Sequence, residues 1–201
     1  MKITDIKQQV KRSDRYSIYV DDQYVFSFSE NELMSLRLRI GQEFTAEGLA
    51  ELKKTAVEDK AWSRSIDLLA RRMRSVGELR DYLKRKDYEP DIIDKTLSRL
   101  SVRGYIDDYK FAETWVSNRR LLKAISKRRL QVELKQKRIS SDIIDEVLAE
   151  DETDERQVIH ELIAKKLHQA KYQDPIKLMQ YLSRQGFSYD DIKAALHREG
   201  A

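Results

Sequence analysis

Histidines, paired carboxylates and clustered basic residues are the groups of this chain that could do chemistry. The histidines are His160, His168 and His197. The first two stand eight positions apart on one expected helix. Two helical turns separate them, too far for joint ligation of one metal ion. The carboxylate pairs Asp21-Asp22, Asp107-Asp108 and Asp190-Asp191 fall at a turn and at two helix starts. There they satisfy backbone N–H groups and meet the positive end of a helix dipole, so they need no acid–base role. Neither a GxxxxGK[ST] phosphate loop nor a glycine-rich dinucleotide turn occurs. With no cysteine there is neither a disulfide nor a thiolate metal site, which fits a reducing compartment. The expectation is a non-enzyme with no catalytic residue, cofactor or metal.

The basic residues are the remaining candidates. Arg71, Arg72 and Arg74 lie at the end of one long helical stretch, and Arg119, Arg120 and Lys123 near the end of a second. Lys127, Arg128 and Arg129 follow at once. Lys84, Arg85 and Lys86 sit on a short helix, matched by Lys135, Lys137 and Arg138 on another. The overall charge of +4 hides the pattern: residues 61–140 hold 21 Lys/Arg against 11 Asp/Glu, while residues 141–201 hold 8 against 13. A basic middle points to a polyanionic partner. Such a band neutralises phosphates without reading bases, which gives salt-sensitive, sequence-tolerant binding. The plainer alternative is that these heads only solubilise helices while their stems cover apolar edges.

The elements that must position these residues are mostly helical and repeated. Leu79, Leu83, Ile93 and Leu97 are spaced +4, +10, +4; so are Leu130, Leu134, Ile144 and Leu148, and again Leu178, Leu182, Ile192 and Leu196. The copies are offset by 51 and 48 residues, and breaks at Asp87-Tyr88, Arg138-Ile139 and Gly186-Phe187 align with them. A longer helical stretch precedes each copy, with Trp62, Ile66 and Leu69, then Phe111, Trp115 and Leu122, then Val158, Leu162 and Leu167 on its apolar face. Trp62, Phe111 and Trp115 stand at core spacing. Ser75 with Glu78 makes a capping box, and Asp174-Pro175 an N-cap followed by a first-turn proline.

The head differs. "YSIYVDDQYVFSFS" alternates as strands do, with Asp21-Asp22-Gln23 as a hairpin loop. Ser29 caps a short helix through Leu33, Leu36 and Ile40 that Gly41 ends, and Thr45 caps another through Leu49 and Leu52. The fold class expected is mostly α: three tandem three-helix repeats in an elongated curved array, with an N-terminal β-hairpin plus short helices. The divisions are 1–57 for the head, then 58–103, 104–150 and 151–201 for the repeats. No segment approaches the ~20 apolar residues of a membrane span, and the first residues lack the apolar core of a signal peptide. A cytoplasmic protein is expected.

"ARRMRSVGELRDYLKRKDYE" followed by "GYIDDYKFAETWVSNR" strongly resembles the RecX family of bacterial recombination regulators. The most specific parts are Arg74-Ser75-x-x-Glu78-Leu79 and Gly104-Tyr105-Ile106-Asp107-Asp108-x-x-Phe111-Ala112. The resemblance covers about Trp62 to Gly200, with the hairpin as an extension found in some members only. It implies a non-enzymatic regulator, usually negative, that binds the RecA-type recombinase, chiefly its filament on single-stranded DNA, with duplex DNA left open as a sequence-nonspecific partner. It implies a monomer of three tandem three-helix repeats whose basic residues face the filament and its DNA. Here those are Arg71, Arg72, Arg74, Lys84, Arg85, Lys86, Arg119, Arg120, Lys123, Lys127, Arg128 and Arg129. Two glycines usual in the second repeat are absent: one in "LLKAISKRRL", one where Lys137-Arg138-Ile139 stands. A helix-turn-helix transcription factor and a protein-only binding scaffold are the alternatives. The acidic starts "PDIIDK", "SDIIDE" and "YDDIKA" count against the former, since a recognition helix enters a groove walled by phosphates.

Overall fold

The computed structural model describes residues 1–199. The chain forms two compact units, one of Met1–Arg74 with Leu79–Tyr105, the other of Ser75–Glu78 with Ile106 onward.

The first unit opens with an antiparallel sheet of three strands in sequence order, β1 (Ile3–Gln9), β2 (Arg12–Val20) and β3 (Gln23–Ser29). The expected hairpin is β2–β3. Asp21 and Asp22 both take positive φ (48° and 64°), as a two-residue type I′ turn requires. Ile18 pairs with Phe26 and Tyr16 with Phe28. A register shift after Ile18 pairs Tyr19 with Tyr24, so Tyr24 leaves the face of the buried Phe26 and Phe28 for solvent. Strand β1 corrects the two-stranded expectation. Its apolar residues, Ile3 and Ile6, do not alternate because a shift between Ile3 and Asp5 interrupts the pairing.

Helix α1 (Glu30–Ser35) starts where Ser29 accepts the Glu32 N–H. It ends at Ser35, earlier than the Leu33–Ile40 spacing suggests. Arg37 turns left-handed (φ 50°) and Gly41 (φ 91°) serves a later turn, donating its N–H to the Ile3 carbonyl. Helix α2 (Ala46–Leu69) is continuous and replaces the two separate helices expected on either side of residue 57. Neither glycine nor proline occurs between Leu49 and Leu69 to break it. It packs on β3 and on α4 (Pro90–Val102). Helix α3 (Val76–Lys84) completes the first three-helix repeat, and its first turn groups with the second unit.

The second unit holds α5 (Asp108–Leu122), α6 (Lys127–Gln136) and α7 (Ser141–Glu150), then α8 (Glu155–Leu167), α9 (Pro175–Arg184) and α10 (Tyr189–Glu199). Each triplet has its own core. Of the twelve matched apolar positions, Leu148 alone is half-buried; the others are buried. The three breaks share one geometry. Asp87, Arg138 and Gly186 take positive φ (57°, 63° and 95°), and the N–H groups of Tyr88, Ile139 and Phe187 return to the carbonyls of Leu83, Leu134 and Leu182. The missing glycine at 138 is therefore no obstacle: Arg138 adopts the left-handed turn itself. Leu122 corrects the expected face of α5. It is 77% exposed, because Ile125 of the following loop fills the core beyond Val116.

Candidate nucleoprotein interface

The first unit places Arg71 and Arg72 in solvent just past α2, with Arg74 half-buried. Lys84 ends α3, and Arg85 and Lys86 form its closing turn. All three are exposed at the carbonyl end of the helix, where cations are favoured. Among the described residues Arg71, Lys84, Arg85 and Lys86 make no ion pair. Sequence reasoning missed a second basic group here. The guanidiniums of Arg99 and Arg103 lie 4.2 and 5.3 Å from the ring centre of Trp62, and Tyr105 meets that ring edge-on. Trp62 is a half-buried cation platform rather than a core residue. Only the i, i+4 spacing of Arg99 on α4 and Arg103 at its C-cap hints at it.

In the second unit the predicted residues divide. Lys123, Arg128 and Arg129 are exposed. Arg119 and Arg120 are turned inward. Arg119 Nε donates to Glu133 at 2.7 Å while its guanidinium lies 4.6 Å from the Trp115 ring centre. Arg120 donates to Asp151 and to the Ile125 carbonyl, in an ion pair whose side chains are 13% and 7% exposed. Lys127 Nζ donates to the Asp151 carbonyl oxygen, and the Lys127 backbone N–H to Glu155. Arg119 ties α5 to α6 within the second repeat, and Arg120 and Lys127 fasten the loop that follows α7. Burial favours the neutral form of Asp151, but its bonds from Arg120 and Thr153 win and hold the carboxyl below its ordinary range.

A recurring junction links the repeats beside these residues. Ser75 Oγ accepts the Glu78 N–H at 3.0 Å and donates to the Lys137 carbonyl at 2.6 Å, while Lys137 Nζ pairs with Glu78 at 2.7 Å. The Val76 N–H is taken by Asp108 at 2.8 Å. Fifty-one residues on, Ser126 Oγ accepts the Arg129 N–H, the Ser126 N–H meets the Gln185 carbonyl at 3.1 Å, and Lys127 N–H meets Glu155. The first turn of one short helix thus meets the end of the corresponding helix in the next repeat, and an acid from the next long helix closes it. Asp107 caps its own helix, accepting the Lys110 N–H. Asp108 is the acid of the junction, and burial raises its carboxyl above the ordinary value.

Chain-wide comparison settles the lineage. Residues 1–45 match the regulatory protein RecX N-terminal domain, and residues 61–100, 107–148 and 153–196 match the first, second and third RecX three-helix domains. The chain belongs to the RecX family. The head, left out of the motif resemblance, belongs to the RecX pattern as well. A regulatory protein RecX of Listeria welshimeri is 32% identical over 97% of this chain and 74% of its own length. One of Bacillus subtilis is 33% identical over 96% and 75%. A crystal structure of a regulatory protein RecX superposes with a TM-score of 0.71 at 27% identity, covering 96% of this chain and 97% of that one. Of the RecX motifs Arg74 to Leu79 and Gly104 to Ala112, Ser75, Val76, Glu78 and Asp108 form the junction, and Leu79, Ile106, Phe111 and Ala112 are core. Among the described residues no group of three or more His, Asp or Glu stands close enough to hold a metal ion, and no helix is long and apolar enough to cross a membrane.

Proposed function

We propose that this RecX-family chain is a non-enzymatic regulator of a RecA-type recombinase. It binds the recombinase–single-stranded DNA filament as a monomer in the cytoplasm and limits the filament's extension or activity in recombination and DNA repair. The supporting observation is the set of solvent-facing cations, Arg71, Lys84, Arg85 and Lys86 in one unit and Lys123 and Arg128 in the other, that form no ion pair among the described residues. Cations kept unpaired on a chain with 35 acidic residues are suited to an anionic nucleoprotein. Base reading is a poorer use of these helices. The first turns of α4, α7 and α10 carry Asp91, Asp142 and Asp190-Asp191, carboxylates placed where a recognition helix meets phosphates and base edges.

The test is single-strand-dependent ATP hydrolysis by the recombinase as the chain is titrated in. Hydrolysis is expected to fall, and to fall less for a chain with Arg71, Lys84, Arg85 and Lys86 replaced by Gln. Undiminished hydrolysis at saturating chain would reject the reading. Binding that does not change with salt would favour a protein-only scaffold.

A further inference from the structure

The two junctions of the second unit differ in one respect that opens a cleft. At the first, Gly77 makes room: a Cβ there would come within 2.1 Å of Arg138 Cβ, so the arginine of the turn occupies the groove. At the second the glycine is on the turn. A Cβ on Gly186 would come within 2.7 Å of Arg129 Cβ and 2.4 Å of Ser126 Oγ. With no side chain on the turn, a concavity of about 530 Å³ remains beside it, lined by Arg128, Arg129 and Arg184 with Val132, Ser183 and Phe187. No carboxylate lines it. Glu133 lies 3.6 Å from Arg129 Nε but is already bonded by Arg119 at 2.7 Å and by the Trp115 indole at 3.0 Å. Arg184 donates its Nε to the Gln180 carbonyl of its own helix, which steadies the stem; its terminal nitrogens have no hydrogen bond among the described residues. Arg128 has no ion-pair partner among the described residues. Phe187 is 5% exposed and gives the cleft a fixed base.

We propose that this cleft binds the phosphodiester backbone of single-stranded nucleic acid, with Arg128, Arg129 and Arg184 as the phosphate donors. It rests on the filament-binding reading and adds a site to it where α6 of the second repeat meets α9 of the third, whose segment "QDPIKLMQYLSRQG" is otherwise sparse in charge. Three guanidiniums from two helices match the fork geometry of phosphate oxygens better than scattered lysines do. The arrangement reads no bases, and its grip weakens with salt.

The experiment is fluorescence anisotropy of a labelled oligothymidylate with the full chain over a series of salt concentrations. Each lost phosphate contact lowers the slope of log K against log salt by about 0.7 on single strands, so R128Q/R184Q is expected to lower it by about 1.4. R184K, which keeps the charge, is expected to hold the slope. K53Q/K54Q removes the same charge from α2 and is expected to leave both slope and affinity unchanged. Arg184 is exposed, and its one hydrogen bond among the described residues is to Gln180 of its own helix, so R184Q alone, with an unchanged thermal melt, tests the cleft with little risk to the fold; its expected fall is about 0.7. A cleft variant that titrates as the parent overturns the proposal, as does an equal loss in K53Q/K54Q or a parent chain with no affinity for the oligonucleotide. Loss of oligonucleotide binding with undiminished inhibition of recombinase ATP hydrolysis keeps the cleft and rejects its part in filament regulation.

Discussion

Removing the Asp59 carboxylate should unfasten the sheet from α2. Arg15 and Asp59 form an ion pair at 3.0 Å with side chains 5% and 3% exposed. Asp59 also accepts the Ser29 N–H at 2.8 Å and the Ser29 hydroxyl at 2.6 Å. Arg15 donates to the Ser27 carbonyl at 2.9 Å and to Ser63 Oγ at 3.1 Å. Asp59→Ala leaves a buried guanidinium without its counter-charge and a backbone N–H without an acceptor. Breaking one side of a buried pair costs about 3–5 kcal/mol. At a urea slope of about 1.5 kcal/mol per M, that lowers the unfolding midpoint of the first unit by roughly 2–3 M. Trp62 reports on this unit, and Trp115→Phe removes the other tryptophan, so indole fluorescence follows the relevant transition. Arg15→Met with Asp59→Leu should recover most of the loss, since apolar replacement of a whole buried pair is often neutral or stabilising. A single-variant cost under about 1 kcal/mol, or a double variant no better than the single, would refute the argument.

Other outcomes follow from the junctions. Gly77→Ala should destabilise the second unit by about 1–3 kcal/mol through overpacking, and Arg138→Gly should rescue it by removing the opposing Cβ; thermal melts of both variants and their combination check this. Asp108 and Asp151 should give pH dependences of opposite sign. The folded carboxyl of Asp108 is raised, so its contribution is full below its unfolded pKa and lost as pH rises through the folded one. Asp151 is lowered, so its contribution is present above its unfolded pKa and lost as pH falls through the folded one. Asp108→Asn and Asp151→Asn should each flatten the corresponding slope of melting temperature against pH, and slopes that change in the same sense would contradict the assignments. Arg120→Gln should lower stability with little change in the salt slope of oligonucleotide binding, whereas Lys84, Arg85 and Lys86 changed to Gln should do the reverse.

The repeat was legible because its signal is chemical and periodic: a leucine or isoleucine at each matched position, and a left-handed break at a fixed distance from it. Strand β1 was not, because a bulge between Ile3 and Asp5 destroys the alternation that marks a strand. The length of α2 was hidden for the opposite reason. A capped start at Thr45 and a fresh apolar stripe at Trp62 look like two helices unless one notices that nothing between them stops the first. Among the cations, residue type could not separate Arg119 and Arg120 from Arg128 and Arg129. The difference lies in the 2.7 Å bond of Arg119 to Glu133, 14 residues away, which Arg129 approaches only at 3.6 Å, and in the pairing of Arg120 with Asp151, 31 residues away.

That division bears on how such a chain diverges. Ser75, Glu78, Asp107 and Asp108 each have a partner in the junction or at a cap, a backbone group for Ser75, Asp107 and Asp108 and the Lys137 ammonium for Glu78. Replacing Ser75, Glu78 or Asp108 leaves a half-buried polar group unmatched, at a cost of about 1–3 kcal/mol, whereas Asp107 caps at the surface. The exposed cations carry no such constraint. Moving Lys84 to a neighbouring exposed position changes a salt slope slightly and leaves packing untouched. The most specific motifs therefore record how one repeat is joined to the next and how its core packs, and an anion-binding surface can drift among exposed positions while those motifs stay put. Gly186 is where the two sets of demands meet. It satisfies the left-handed turn of α9, and by carrying no side chain it leaves the arginine cleft open. A side chain at 186 would strain the turn and crowd Ser126 and Arg129, so the chemistry available at that junction is fixed by the same residue that closes the helix.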